Sequence, residues 1–117
     1  MKQLISIGCF VAIMMLIPLV ANAETSLGTF VLSSGEEKVI TFRADEETKV
    51  GWRTSYNIEQ AEKCPDRLCI RLREQGEGSS IASMFGGALY AQPRDGKVSV
   101  VIENLASFPI KVEVYRE

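Results

Sequence analysis

The residues most able to do chemistry in this chain are two cysteines in the segment CPDRLC, residues 64–69. Metal binding is disfavoured because the 117 residues include no histidine, and because C-x4-C differs from the C-x2-C pairs of zinc sites. A thioredoxin-type redox couple would need C-x-x-C in a βαβ setting. We therefore predict a disulfide between Cys64 and Cys69, which requires an oxidising compartment.

Other catalytic groups are missing from the sequence. Without histidine, Ser-His-Asp and Cys-His arrangements are excluded, because a serine or cysteine nucleophile usually needs a histidine base. The glycines at 76 and 78, and at 86 and 87, do not match the spacing of phosphate-binding loops. Carboxylate pairs of the kind that cleave glycosides would arise by chance among 15 acidic residues. We expect no enzymatic activity, no cofactor and no metal site.

The first residues, MKQLISIGCFVAIMMLIPLVANA, indicate export. Lys2 precedes an uncharged apolar run over 4–20, and Ala21-Asn22-Ala23 has the small-x-small form of a peptidase site, so we predict a signal peptide at 1–23. A retained anchor is less favoured, because the apolar run is short for a spanning helix of about 20 residues. The sequence thus predicts a periplasmic or secreted protein without a membrane span after cleavage.

Residues 24–117 have the size and composition of a single small domain. Removal of the leader leaves 94 residues and takes away Lys2, so 12 basic residues remain against 15 acidic ones and the net charge is −3. This acidic balance argues against nucleic acid as a partner, because nucleic-acid-binding domains carry a basic excess.

Short alternating segments predict an all-β fold. Apolar side chains recur at every second position in segments separated by turn residues, as in strands with one buried face. The strands are predicted at 29–32, 38–43, 49–55, 68–73, 97–104 and 110–115, with a turn at 93–96 and a loop with one helical turn at 56–63. With the neutral segment at 78–93, about seven strands favour an antiparallel β-sandwich or jelly roll.

Two parts of this pattern resemble a known family. The runs SSGEEKVITFRADEETKVGW and PRDGKVSVVIENLASFPIKVEVY are similar to the small β-sandwich domains of secreted bacterial hydrolases, of the pre-peptidase C-terminal type. The matching positions are Gly35, Phe42, Asp95, Gly96, Val98, Val100 and Asn104. The resemblance implies a sandwich fold and an extracytoplasmic location, but no activity.

Positive charge is concentrated around the cysteines. In the strand predicted at 68–73, Cys69, Arg71 and Arg73 fall on the face opposite Leu68, Ile70 and Leu72, so the disulfide is expected to lie away from the core. Together with Arg67, these arginines suit an acidic partner through bidentate pairing. The alternative interpretation is a salt-bridged outer face, which Glu62 and Glu74, close in sequence, favour.

The segment GSSIASMFGGALYAQP, residues 78–93, carries no charge. One interpretation makes it two strands or one bulged strand, with the glycines at a bend. The other makes it a binding loop in which Met84, Phe85, Leu89 and Tyr90 are apolar anchors for a partner. The sequence does not decide between them, nor whether this segment lies at the same end of the sandwich as the disulfide.

The aromatic residues divide into core and surface candidates. Trp52 is in phase with Val50 and is predicted to be buried, whereas Tyr56, Tyr90 and Tyr115 are predicted to be exposed.

The absence of catalytic groups in a small exported domain favours a binding protein. Its partner would be another protein in the envelope or outside the cell, as for an inhibitor or immunity-type factor. A carbohydrate-binding or envelope-accessory module is the alternative, with a glycan as ligand. A structural subunit of a surface assembly is the second alternative, in which the uncharged segment supplies an edge strand.

Overall fold

The computed structural model describes residues 24–55, 57–76 and 78–117, so the predicted signal peptide at 1–23 lies outside the described residues. Within them the chain forms strands and one short helix. The strands are β1 (Thr25–Leu32), β2 (Glu37–Arg43), β3 (Thr48–Thr54), β4 (Ile70–Glu74), β5 (Ser80–Ser83), β6 (Gly86–Ala91), β7 (Lys97–Asn104) and β8 (Ile110–Arg116). The helix α1 (Ile58–Ala61) lies between β3 and β4, and a 3-10 turn, Pro65–Arg67, follows it.

The strands form two four-stranded sheets with the orders β1-β8-β3-β6 and β2-β7-β4-β5. Every pairing is antiparallel, and the chain crosses between the sheets after nearly every strand. This order is that of a jelly roll, in which two Greek keys wrap around one core. The predicted all-β fold, an antiparallel β-sandwich or jelly roll of about seven strands, is confirmed, and the structure has eight strands in its described part.

The inner faces of both sheets enclose one apolar core. In β7 the inward residues Val98, Val100 and Ile102 are at most 1% exposed, and Trp52 on the facing sheet is also 1% exposed. The predicted burial of Trp52 is therefore confirmed. Each such side chain contributes roughly 1.5–3 kcal/mol by leaving water, so this alternation supplies most of the drive for folding.

The connections take the conformations that their sequences favour. Asp95 and Gly96 have φ angles of 55° and 77°, and Arg94 and Lys97 exchange backbone hydrogen bonds of 2.7 and 3.1 Å around them, which gives the tight turn predicted at 93–96. In the region predicted as a loop with one helical turn, the Asn57 side chain accepts a hydrogen bond of 2.9 Å from Gln60 N–H and caps α1. In the described part of the chain, no helix is long and apolar enough to cross a membrane.

Asn104, at the end of β7, joins two loops through its buried side chain. The side chain is fully buried, and its Nδ2 donates to the carbonyls of Leu32, Ser33 and Phe108 at 2.9, 3.1 and 2.9 Å. Its Oδ1 accepts a hydrogen bond of 2.8 Å from Ala106 N–H. One amide thus holds the β1–β2 turn against the β7–β8 loop, and both polar atoms of its own buried side chain have partners.

We predict that Asn104→Ala lowers the free energy of unfolding by about 2–3 kcal/mol, because its buried hydrogen bonds to the Leu32 carbonyl and from the Ala106 N–H are lost without replacement by water. Urea denaturation provides the measurement. Asn104→Asp is the matched control, since it keeps the shape but places a charged acceptor against three carbonyl oxygens. It should be at least as destabilising as alanine at neutral pH, and an aspartate close to wild type would contradict the role assigned to Nδ2.

Candidate functional site

The two predicted disulfide cysteines are joined, with an Sγ–Sγ distance of 2.06 Å, and they lie inside the protein. Cys64 is 5% exposed and Cys69 is fully buried, so the expectation that the disulfide lies away from the core is wrong. The physical reason is that β4 begins at Ile70, one residue after Cys69, so the alternation of that strand does not extend to the cysteine. Instead the end of α1 lies against it, and Cys69 Sγ lies 3.7 Å from the carbonyl oxygen of Ala61.

The loop closed by the disulfide projects a charged tip. Asp66 and Arg67 have φ angles of 53° and 61°, in the left-handed region that residues with a side chain seldom occupy. Both side chains are exposed, and in the described part of the chain Arg67 makes no ion pair. A short covalent ring therefore holds two consecutive residues in a conformation that a free peptide would rarely adopt.

The turn between β5 and β6 reaches the same end of the sandwich as this tip. The Thr54 N–H and Oγ1 both donate to the Phe85 carbonyl, at 3.1 and 2.7 Å, and α1 begins shortly after Thr54. The Cys69 N–H also donates to the Ser83 carbonyl at 3.1 Å. Residues 57–69 with Met84 and Phe85 thus form one surface, which we name the disulfide end.

Two large apolar side chains are exposed at the disulfide end. Ile58, at the first position of α1, is 59% exposed, and Phe85 is 42% exposed. Neighbouring Met84 is only partly exposed and packs against the core. Exposed apolar groups flanked by the charged tip are typical of a surface that contacts another macromolecule. Sequence reasoning singled out Phe85 but missed Ile58, whose exposure depends on the short helix that carries it.

The segment at 78–93 follows the strand interpretation, with β5 and β6 joined at residues 84–85. Leu89 points inward and is 6% exposed, so its predicted role as an anchor is wrong, because it alternates with neighbours on the outer face of β6. Tyr90 is 58% exposed on that outer face, several residues along the strand from Phe85. The four predicted anchors therefore do not form one patch.

Arg71 and Arg73 lie on the outer face of β4 and are partly exposed. Arg71 Nη1 is 3.4 Å from Glu103 Oε1, and Arg73 Nη2 is 3.6 Å from Glu37 Oε2. These contacts agree with the salt-bridged interpretation of this face, but the partners are Glu103 and Glu37 on other strands of the sheet rather than Glu62 and Glu74. Val101, which pairs with Arg73 on the neighbouring strand, is only 2% exposed although it too faces outward. Because Arg71 and Arg73 lie on the outer face of β4, Arg67 is the one of the three predicted binding arginines that belongs to the disulfide end.

A polar cleft of about 290 Å³ lies at the opposite end of the sandwich. It is lined by Glu74, Gln75, Gln92, Arg94, Asp95, Lys97 and Ser99. The Glu74 side chain is buried at its base, where Oε1 accepts from Ser79 N–H at 2.7 Å and Oε2 accepts from Gln92 N–H at 2.9 Å. Both oxygens are therefore engaged with backbone amides, and Glu74 connects the β4–β5 and β6–β7 loops.

The environment of Glu74 favours its charged form. Burial by itself raises the pKa of this carboxyl, but the hydrogen bonds from Ser79 and Gln92 and the positive charge of Arg94 outweigh it, so the pKa lies below its ordinary value of 4.5. Sequence reasoning placed Glu74 beside the arginines of the outer face, whereas its side chain is buried on the inner side. The available signal was its phase, since position 74 continues the inward positions 70 and 72 of β4.

Comparisons with known proteins add little to this geometry. No protein-family model matches the chain, and no curated protein matches its sequence, so the resemblance to pre-peptidase C-terminal domains stays a prediction. Among solved structures, the chain is similar to a de novo designed double-stranded β-helix determined by solution NMR. The two share 16% identity over 82% of this chain and 100% of the designed one, with a TM-score of 0.49, and no functional argument rests on this similarity.

We predict that reduction of the Cys64–Cys69 disulfide lowers the free energy of unfolding by about 2 kcal/mol, because a ring this small restricts the unfolded chain only modestly. Urea denaturation with and without reductant measures the change. A Cys64→Ala, Cys69→Ala double variant is the control and should not respond to reductant. Equal stability of the wild type in both conditions would contradict the prediction.

We predict that Glu74→Gln lowers the free energy of unfolding by about 1–3 kcal/mol at neutral pH, because the amide cannot accept both backbone hydrogen bonds. A carboxyl whose pKa is lower in the folded state stabilises the fold above its unfolded value, and that stability is lost as the pH falls through the folded value. The difference in the free energy of unfolding between wild type and variant should therefore be largest above pH 4.5 and should decrease in more acidic buffer.

Urea denaturation over a pH series measures the gap for Glu74. Glu59→Gln, at an exposed carboxylate on α1, is the control and should change the free energy of unfolding by less than about 0.5 kcal/mol. A gap for Glu74→Gln that widens as the pH falls would contradict the assignment.

Proposed function

We propose that this chain is an exported, non-catalytic binding protein whose disulfide end contacts another protein in the envelope or outside the cell. One observation carries the proposal: the disulfide-closed tip and the β5–β6 turn lie at the same end of the sandwich. Segments far apart in sequence there combine an exposed cation, Arg67, with two exposed apolar side chains, Ile58 and Phe85.

The disulfide end is a preformed surface, and this favours binding. Association ordinarily loses free energy when flexible loops and side chains become ordered, about 0.5–1.5 kcal/mol for each immobilised side chain. The tip at 65–67 is closed by a disulfide with both cysteines in the core, and the β5–β6 turn is held by two hydrogen bonds from Thr54. The free-energy cost of ordering these two segments when the partner binds is therefore smaller.

The chemistry of the surface indicates what the partner must offer. Ile58 and Phe85 fit apolar pockets, and an aromatic anchor in a pocket commonly carries much of the binding free energy. Arg67 suits a carboxylate, with which its guanidinium pairs through two hydrogen bonds. The tip also exposes Asp66 beside Arg67, so a concave site with groups of both charges suits it, as expected for an inhibitor or immunity-type factor.

Export supports the same proposal. A disulfide persists in the periplasm or outside the cell and is rare in reducing compartments. The apolar leader at 1–23 and the small-x-small site at its end are consistent with delivery to such a compartment.

The glycan-binding alternative stays a prediction with less support. A sugar-stacking platform needs free aromatic faces. Of the two described tyrosines, Tyr115 has Arg53 lying 4.2 Å over its ring, which leaves Tyr90 as the more accessible one.

The proposal is tested by capture of a partner from the native envelope or medium with the tagged protein. We expect one stoichiometric protein, whose affinity falls about 30-fold with Phe85→Ala and also falls with Arg67→Ala, because anchor residues at interfaces are worth about 2 kcal/mol or more. Val39→Ala is the matched control, since Val39 is 51% exposed within β2 and is not among the residues of the disulfide end. It should leave binding unchanged.

Two outcomes would contradict the proposal. One is the absence of any stoichiometric partner under several conditions. The other is a partner whose affinity responds to Val39→Ala but not to changes at Arg67 and Phe85. Thermal unfolding of each variant distinguishes loss of binding from loss of fold.

A further inference from the structure

Among the residues that the structure describes, the strand β6 lies at the outer edge of the sheet β1-β8-β3-β6 and is paired on one side only. Thr54 N–H donates to the Phe85 carbonyl, and residues of an antiparallel pair alternate between facing the neighbouring strand and facing away from it. Continuing this alternation through the register of β3 and β6 directs the backbone groups of Gly86, Ala88 and Tyr90 away from β3. The next residue whose backbone groups point away from β3 is Gln92. Its N–H donates to Glu74, so the unpaired stretch of backbone ends at Tyr90.

This edge lacks the features that usually protect an edge strand from pairing. Natural edges are short, bulged or charged. Among the other outer strands, β1 has an irregular register between Ser26 and Gly28, β2 carries three charged residues, and β5 spans only Ser80–Ser83. In contrast, β6 has the sequence GGALYA, with neither a charge nor a proline.

We propose that β6 is a self-association edge, at which the β6 strands of two copies pair antiparallel about a two-fold axis at Ala88. In this register Ala88 faces Ala88 of the second copy, and Gly86 faces Tyr90 of the second copy. These are the residues whose backbone groups point away from β3, so each pair exchanges two hydrogen bonds, about six in total. The pairing joins two four-stranded sheets into one continuous sheet.

The side chains on the outer face of β6 are self-complementary in this register. Tyr90 is the one large side chain of the pairing face, and the position opposite it, Gly86, has none. The same sheet already contains such a pair within one chain, since Tyr115 lies across from Gly51. A Cβ added at Gly51 would lie 2.6 Å from the Tyr115 hydroxyl, which shows how closely the ring covers the glycine. Aromatic residues opposite glycine are a known means of stabilising strand pairs.

The charges that flank the edge do not oppose the pairing. Lys49 is next to Tyr90 in register and lies 3.3 Å from Glu117, and Arg53 is next to Gly86 and is bonded to Glu113 and Glu24. Each cation near the axis therefore has its own anion within the same chain. An interface of one strand pair is small, below the roughly 1,200 Å² of stable complexes, so the monomer and dimer should exchange with concentration.

Antiparallel pairing has a geometric consequence for the proposed function. The two disulfide ends would point in opposite directions, and in each of them Phe85 would lie next to the paired strands, opposite Ala91 of the second copy, while Ile58 and Arg67 are carried by other elements. Changes at Ala88 test self-association and a change at Arg67 tests partner binding, so failure of either proposal would leave the other standing.

The test is sedimentation velocity over a concentration series, with protein produced from the full sequence and recovered after export. We expect the wild type to shift from monomer to twice the monomer mass. Ala88→Lys and Ala88→Glu should each raise the dissociation constant about fivefold or more, because like charges would face each other across the axis. An equimolar mixture of the two variants should recover the dimer, since the charges are then opposite. This recovery also shows that both variants are folded.

Ala82→Glu is the matched control, because Ala82 is a partly exposed alanine on β5, the edge strand of the other sheet. It should dimerise like the wild type. Amide hydrogen exchange at Gly86, Ala88 and Tyr90 should slow as the dimer forms. The proposal is overturned if the wild type is monomeric at every concentration, or if the mixed charge variants associate no better than either one alone. A dimer lost with Ala82→Glu would place the interface on β5 and overturn it equally.

Discussion

The structure depends on the burial of one face of each sheet around Trp52. Because successive side chains of a strand point to opposite faces, removing Val98, Val100 and Ile102 from water determines which residues between them remain outside. Arg71 and Arg73 reach the outer face for this reason, and Leu89 is withdrawn from it although its neighbour Tyr90 is exposed. The residues available on the surface for function are therefore those that the packing of the core leaves on the outer faces.

Buried polar groups organise the loops once the sheets have formed. Asn104 holds two connections at one end, and Glu74 holds two at the other, each through hydrogen bonds from a buried side chain to backbone groups of the loops. The disulfide adds a covalent tie close to Asn104, where the Leu105 N–H donates to the Cys69 carbonyl at 2.8 Å. Buried groups thus hold the loops of the disulfide end in place, so the exposed side chains of the tip are not needed for this purpose.

The two proposed contact elements follow from different features of a sandwich. Its ends collect loops from distant parts of the sequence, so a side chain such as Ile58 on the short helix comes near Phe85 on a turn. Its open sides leave strands with unpaired backbone groups, which invite pairing unless charge, proline or shortness prevents it. In this chain β6 has none of these, and its one large exposed side chain is matched by a glycine in the same strand.

Alternation and turn residues by themselves determined the fold class, the turn at Asp95–Gly96, the exact extent of β7 and the burial of Trp52, because these depend on neighbours two to four residues apart. The pairing of the only two cysteines beyond 23 followed from composition. Tertiary structure alone decided that Cys69 is buried, that Glu74 lies inside, and that the tip and the β5–β6 turn share an end. Those outcomes depend on which strands become neighbours, and pairing between distant segments leaves no periodic trace in the sequence.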